Sequence, residues 1–287
     1  MSAIPVMKFG GTSMQGKYRF GPNEDRLLED LRRMKEVNEI YRTLAQRRND
    51  ARARRLSQVA RDFIIPLKQQ GHVPVIVVSA FDWATDKLDH LAAAISSDTP
   101  QREYARLLMS GELRANSTLA MSLEERGCPA RSLTGREAGI VTSGTPVDAA
   151  IERVDSEHLS EIVSAGIVPV VAGFQGYYCD PESGRDEVSI LGRGGSNLTA
   201  VALADALGQE ACTMFTDVDG VYDCDPNVHG DDACKLGKVT AAELLAMEDC
   251  PQVIQREALE YACQRGVNVW IRSAFEPEKE GTLIICR

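Results

Sequence analysis

Residues 73–80 read VPVIVVSA, apolar at almost every position. A strand with one wet face alternates apolar and polar side chains. An unbroken run of this length therefore predicts a strand covered on both faces, as in a parallel sheet between helices. Similar runs recur at 3–9 (AIPVMKF), 138–142 (AGIVT), 167–174 (IVPVVAGF), 211–217 (ACTMFTD) and 267–273 (VNVWIRS). Helical patterns separate several of them: HLSEIVSAG, SNLTAVALADALG and TAAELLAME. The alternation predicts an α/β fold, a three-layer α/β/α sandwich around an open, mainly parallel sheet.

One region breaks this rhythm. Residues 23–70 are highly charged and free of glycine, with a single proline at Pro66. Leu27, Leu31, Met34, Val37, Ile40 and Leu44 fall at helical spacing, which predicts two helices with a break near 48–50. The arginines are interleaved with Asp and Glu, which reads as a solvated helical face or a subunit contact.

Composition narrows the function classes. A length of 287 residues suffices for one large core. The net charge of -10 argues against general nucleic-acid binding. No apolar run approaches the roughly 20 residues of a membrane span, and the first residues lack the pattern of a secretion signal. The eight cysteines include no CxxC pair, and none of the four histidines sits at zinc-ligand spacing. These features predict reduced thiols, a cytoplasmic protein and no protein-held metal.

Chemistry is expected where strands run into glycine turns. Such turns free backbone N–H groups and let an anion approach without a Cβ in the way. KFGGTS (8–13) follows the first apolar run, and GRGGSN (192–197) leads into a helix. A third polar turn, TDVDGVYDCDPN (216–227), has neither the spacing of a calcium loop nor that of a P-loop.

In this order, with FEPEKEGTLI (275–284) closing the chain, these stretches resemble the aspartate kinases of the amino acid kinase family. The resemblance covers the chain except 23–70. It implies a single amino acid kinase-like domain over 1–287. The amino-acid-binding lobe would span about 1–176, including the insertion 23–70, and the nucleotide-binding lobe about 177–287. The implied activity is ATP-dependent phosphorylation of the side-chain carboxylate of aspartate or a close analogue, with Mg2+ bound alongside the nucleotide. The alternative is a non-catalytic binding or regulatory subunit on the same fold. A homo-oligomer (dimer), or a hetero-oligomer assembled through the insertion, is the expected assembly.

The resemblance also implies roles. Lys8 would meet the transferring phosphoryl group, with Gly10, Gly11 and Ser13 beside it. Ser79, Thr85, Glu112, Arg193, Gly194, Gly195 and Ser196 would bind the amino acid: Glu112 its ammonium group, Arg193 its α-carboxylate. Thr216, Asp217, Tyr222, Asp225, Asn227, Gln252 and Val253 would line the nucleotide site.

Several positions depart from the family pattern. Asn197 stands where the family has a catalytic Asp, Asn227 where it has Arg, and Gln252 and Gln255 where it has Lys and His. Phe81, Asp82 and Trp83 replace smaller residues. Arg256, Lys235 and Lys238 are the cations that could compensate. The regulatory ACT domains of the family are expected to be absent.

Overall fold

The computed structural model describes residues 4–10, 14, 37–81, 83–247 and 253–286, with the backbone alone for 37–45. Strand β1 (Val6–Phe9) is followed by helix α1 (Val37–Val59), a π-helical turn (Ala60–Ile64), α2 (Ile65–Gln69) and β2 (Val75–Val78). Helices α3 (Ala84–Ile95) and α4 (Gln101–Glu124) lead to β3 (Ala130–Leu133), β4 (Ile140–Gly144) and β5 (Ala149–Val154). Then come α5 (Glu157–Ser164), β6 (Val168–Ala172), β7 (Gln175–Cys179), β8 (Asp186–Ile190), α6 (Gly195–Ala206) and β9 (Ala211–Thr216). The chain continues through β10 (Val221–Tyr222), α7 (Pro226–His229), β11 (Lys235–Leu236), β12 (Lys238–Thr240) and α8 (Ala241–Ala246). It ends in α9 (Arg256–Arg265), β13 (Asn268–Ser273) and β14 (Thr282–Ile285).

The main sheet has eight strands in the order β12-β14-β13-β9-β1-β2-β6-β3. Every neighbouring pair is parallel except β13–β14. Val75 and Val77 of β2 face one core cluster, while Ile76 and Val78 face the other. All four are fully buried, each stabilising the fold by roughly 1.5–3 kcal/mol. The sheet is therefore covered on both faces, as the unbroken apolar run requires. Helices α5, α6 and α9 pack on one side, and α1, the π-turn and α4 on the other. No helix among the described residues is long and apolar enough to cross a membrane.

Strand β1 sits between β2 and β9, so the chain winds away from it in both directions. That makes β1 the switch point of the sheet, where open α/β folds place their ligands, outside the carboxyl ends of the strands.

Two expectations need correction. AGIVT does not join the main sheet: β4 lies in a separate four-stranded sheet of order β5-β4-β7-β8, because apolar periodicity marks a strand without saying which sheet it joins. The break expected near 48–50 is also absent, and α1 runs through it unbroken. Asp50 is held within the helix by the Gln46 side-chain amide, which donates to it at 2.9 Å one turn earlier. The irregularity falls instead at the π-turn just before Pro66, whose missing N–H removes a helical hydrogen bond. Leu27, Leu31 and Met34, and the side chains of Val37, Ile40 and Leu44, lie outside the described residues.

The C-terminal end of this helical segment is firmly part of the domain. Leu56, Val59, Ala60, Phe63 and Ile64 are buried. Phe63 meets the rings of Phe9 and Phe215 edge-on at 5.6 and 4.7 Å. Arg55, 4% exposed, donates to the Ala274 carbonyl and to Gln58.

Candidate active site

Lys8 points to the same side of β1 as Val6, towards α6, because alternate strand residues share a face. It lines a cavity of about 420 Å³ that opens at the carboxyl end of the strand. Desolvation lowers the Lys8 pKa to about 8, and the Asp217 carboxylate only partly offsets this. An anion arriving in the cavity would favour the charged ammonium.

The opposite wall is the glycine turn that leads into α6. Gly194 adopts φ +82 as the N-cap and offers no side-chain cap; the Gly195 and Asn197 N–H groups of the first turn donate to the Gly192 and Gly194 carbonyls at 3.2 and 2.9 Å. A Cβ at Gly194 would also lie only 2.5 Å from Gln255 Cγ. Arg193, Gly195, Ser196 and Asn197 line the same space. A helix N-terminus beside an arginine suits a carboxylate.

Glu112 enters from α4. The preceding Gly111 lets the helix approach the end of β2: a Cβ there would lie 2.9 Å from Ala80 Cβ. The Ala80 N–H donates to Glu112 Oε1 at 3.1 Å, while Oε2 is buried without a partner. Burial raises the Glu112 pKa to about 7, opposed by its backbone hydrogen bonds. Ser79 and Thr85 complete this part of the lining. A buried, half-satisfied carboxylate calls for a cationic donor.

A second cavity of about 340 Å³ contains Asp217, Tyr222, Asn227 and Val253. Tyr222 donates to Asp219 at 2.9 Å. Burial opposes ionisation of Asp219, but Tyr222 and the Lys235 and Lys279 ammonium groups together hold its pKa below the ordinary value.

The remaining candidates take structural positions. Thr216 Oγ1 donates to Asp217 at 3.3 Å and accepts from the Val218 N–H at 3.1 Å. Asp225 caps α7, accepting from the Asn227 N–H at 2.8 Å. The Gly10 N–H donates to the Phe215 carbonyl at 3.4 Å. Gly11, Ser13, Asp82 and Gln252 lie outside the described residues.

Among the proposed compensating cations, Arg256 pairs with Glu260 at 2.8 Å on an exposed face. Lys235 donates to the Glu280 carbonyl at 2.9 Å and lies 3.5 Å from Asp219. The cation that lines the second cavity is Lys279, which the motifs did not single out. Also unforeseen are Tyr104 and Asp89 in the first cavity, joined by a 2.7 Å hydrogen bond that raises the Tyr104 pKa to about 12. Phe174 lines that cavity too, at φ +70. Bonds to Thr199 Oγ1 and the Leu191 N–H hold it in a conformation that costs about 1–3 kcal/mol. Its place after the apolar run ending in Ala-Gly was the only available signal.

Aspartokinase from Mycobacterium tuberculosis is 40% identical over 236 residues, which is 82% of this chain and 54% of that protein. The chain thus spans about half the length of the curated relatives it matches. The crystal structure of aspartate kinase from Synechocystis is similar with a TM-score of 0.72 and 31% identity, over 99% of this chain and 40% of that one. E. coli aspartokinase III, at 20% identity and a TM-score of 0.73 over 99% of this chain and 65% of that one, shares the fold. A model of the amino acid kinase family matches residues 3–287, and the chain belongs to that family.

Proposed function

We propose that the protein transfers the γ-phosphoryl group of ATP to the side-chain carboxylate of L-aspartate or a close analogue, giving an acyl phosphate and ADP. The observation that carries this reading is the convergence of Lys8, Glu112 and Arg193 on one cavity at the switch point of the sheet.

Arg193, at the positive end of α6, binds the α-carboxylate, and Glu112 binds the ammonium group. These contacts turn the side-chain carboxylate towards Lys8. One carboxylate oxygen attacks the γ-phosphorus, the bond from phosphorus to the bridging oxygen breaks, and ADP leaves with that electron pair. The acceptor is already ionised at neutral pH, since its reference pKa is about 3.9. No proton has to be removed, so an amide at Asn197 is compatible with turnover. The chemistry then rests on alignment and on neutralising charge that spreads over the phosphoryl oxygens.

Lys8 supplies that neutralisation from the acceptor side, and Lys279 adds a cation on the nucleotide side. Among the described residues no group of three His, Cys, Asp or Glu side chains is placed to hold a metal ion. Magnesium would arrive with the nucleotide phosphates, and Asp217, whose carboxylate acts on Lys8, would be the nearby protein carboxylate; when bound, the metal would supply further charge neutralisation.

The test mixes protein, ATP, magnesium and a panel of acidic amino acids with hydroxylamine, which traps an acyl phosphate as a hydroxamate. ADP and hydroxamate should appear in equal amounts with aspartate or a near analogue. Nucleotide binding without hydroxamate from any member of the panel would favour a regulatory subunit instead.

A further inference from the structure

Two residues that line the first cavity each carry a buried acceptor oxygen without a hydrogen-bond partner, Glu112 Oε2 and Asn197 Oδ1. Glu112 already has a role in the reading above. Asn197 has none, yet it is only 6% exposed.

The orientation of the Asn197 carboxamide follows from Gln255. Asn197 Nδ2 donates to Gln255 Oε1 in a short hydrogen bond, which leaves Oδ1 available. Gln255 is itself held in place. Its carbonyl accepts from the Leu259 N–H at 3.1 Å as the N-cap of α9. Its side chain packs against the face of Gly194 where any Cβ would collide. The two amides are 58 positions apart in sequence and replace an Asp and a His of the family pattern. Their bond is a neutral contact within one chain, built where the family carries charge.

A carbonyl oxygen facing a phosphoryl group would repel it, so this acceptor matches a donor: Lys8 is the one on the chain, and an ammonium group is the one the ligand brings. We propose that Gln255 is a positioning residue, which holds Asn197 Oδ1 as a second acceptor for the ammonium group of the bound amino acid, beside Glu112. The inference rests on the functional reading above, since it takes the ligand to be an amino acid.

The experiment compares L-aspartate with succinate, which lacks only the ammonium group, by titration calorimetry. The wild type should bind aspartate at least about ten-fold more tightly, in line with the strength of hydrogen bonds to a charged group. Gln255→Leu, which adds no charge, should lower that ratio about ten-fold and leave succinate affinity within about two-fold. Gln255→Glu, an acceptor only, should keep most of the preference. Gln255→Lys, a donor only, should abolish it by turning the Asn197 amide around. Thermal unfolding checks each fold, and Asn197→Ser supplies a second route: its effect should not add to that of Gln255→Leu.

An unchanged ratio in both Gln255→Leu and Asn197→Ser overturns the inference. So does a loss of turnover in Gln255→Leu with the aspartate preference intact, which would give Oδ1 to Lys8 instead. If the wild type prefers aspartate and Gln255→Leu removes the preference, but no acyl phosphate forms, the inference stands and the kinase reading falls. If acyl phosphate forms and the ratio ignores position 255, the reverse holds. Binding of neither ligand sinks both.

Discussion

The two cavities are built on different electrostatic principles. The first draws Lys8 from β1, Thr85 from α3, Glu112 from α4 and Arg193 from the turn before α6. Its central charges, Lys8 and Glu112, have pKa values moved by desolvation to about 8 and about 7. The second is made by the turn after β9, helix α7 and the loop before β14. Its charges pair near the surface: Asp219 lies 3.5 Å from Lys279, whose side chain is 44% exposed, and 3.5 Å from Lys235 just outside the lining. Lys8 and Glu112 in the first cavity are desolvated and poorly screened, whereas the charges of the second are shared and wet. Substitutions in the first should therefore cost more, and salt should matter chiefly in the second.

The sharpest break of that contrast is Lys8→Ala. Losing a desolvated cation at the reacting group should lower kcat by on the order of 10²–10³ or more, with thermal unfolding little changed. Residual activity within ten-fold of wild type would remove Lys8 from the chemistry.

Arg193→Lys comes next. An ammonium does not reproduce the planar fork of a guanidinium on a carboxylate, so the KM for the amino acid should rise about 10–100-fold. The KM for ATP should stay within about three-fold. Equal rises in both would mean that the two cavities are not functionally separate.

The pH profile tests the first cavity alone. Glu112 must be ionised to hold an ammonium group; its pKa is raised by burial, so the active form is gained as pH rises through about 7. Lys8 must be charged; its pKa is lowered, so the active form is lost as pH rises through about 8. The kcat/KM for the amino acid should peak between those values and fall on both sides. A stability effect of opposite sign accompanies the acid limb. A carboxyl whose folded pKa exceeds its unfolded value of about 4.5 contributes stability below that value and loses it as pH rises through about 7. Denaturation of the ligand-free protein should show this slope, and Glu112→Gln should flatten it.

The same division explains what the sequence made legible. The buried strands announce themselves, because VIVV at β2 is apolar on both faces and only a two-sided core accepts it. In the first cavity, Lys8, Glu112 and Arg193 were named through the resemblance of their motifs to the family, whereas Tyr104, Asp89 and Phe174 lie in stretches with no such motif. Lys279 was not readable: a lysine in a charged loop looks like any surface lysine until β13 and β14 bring it over Asp219. The partnership of Asn197 with Gln255 was hidden for the same reason, because it arises from the packing of α6 against α9. The continuity of α1 through Asn49 and Asp50 shows a local propensity overruled by the helix around it.

Lys279→Ala should produce the smallest effect, and its salt dependence gives it diagnostic value. Lys279 lines the second cavity, but it already shares its charge with Asp219 at 3.5 Å and Glu276 at 3.0 Å. A nucleotide phosphate therefore competes with two carboxylates for this ammonium. Removing it should raise the KM for ATP only about three- to ten-fold, since exposed ion pairs are worth roughly 0.2–1 kcal/mol and a phosphate contact somewhat more. The wild-type KM for ATP should rise with ionic strength, and the variant's should rise less, because the screened contact is gone. Arg256→Ala, which removes a cation paired with Glu260 that lines neither cavity, should leave the KM values for ATP and the amino acid unchanged. If Arg256→Ala weakened ATP binding more than Lys279→Ala did, the phosphates would lie on the α9 side. The nucleotide would then not be held in the second cavity.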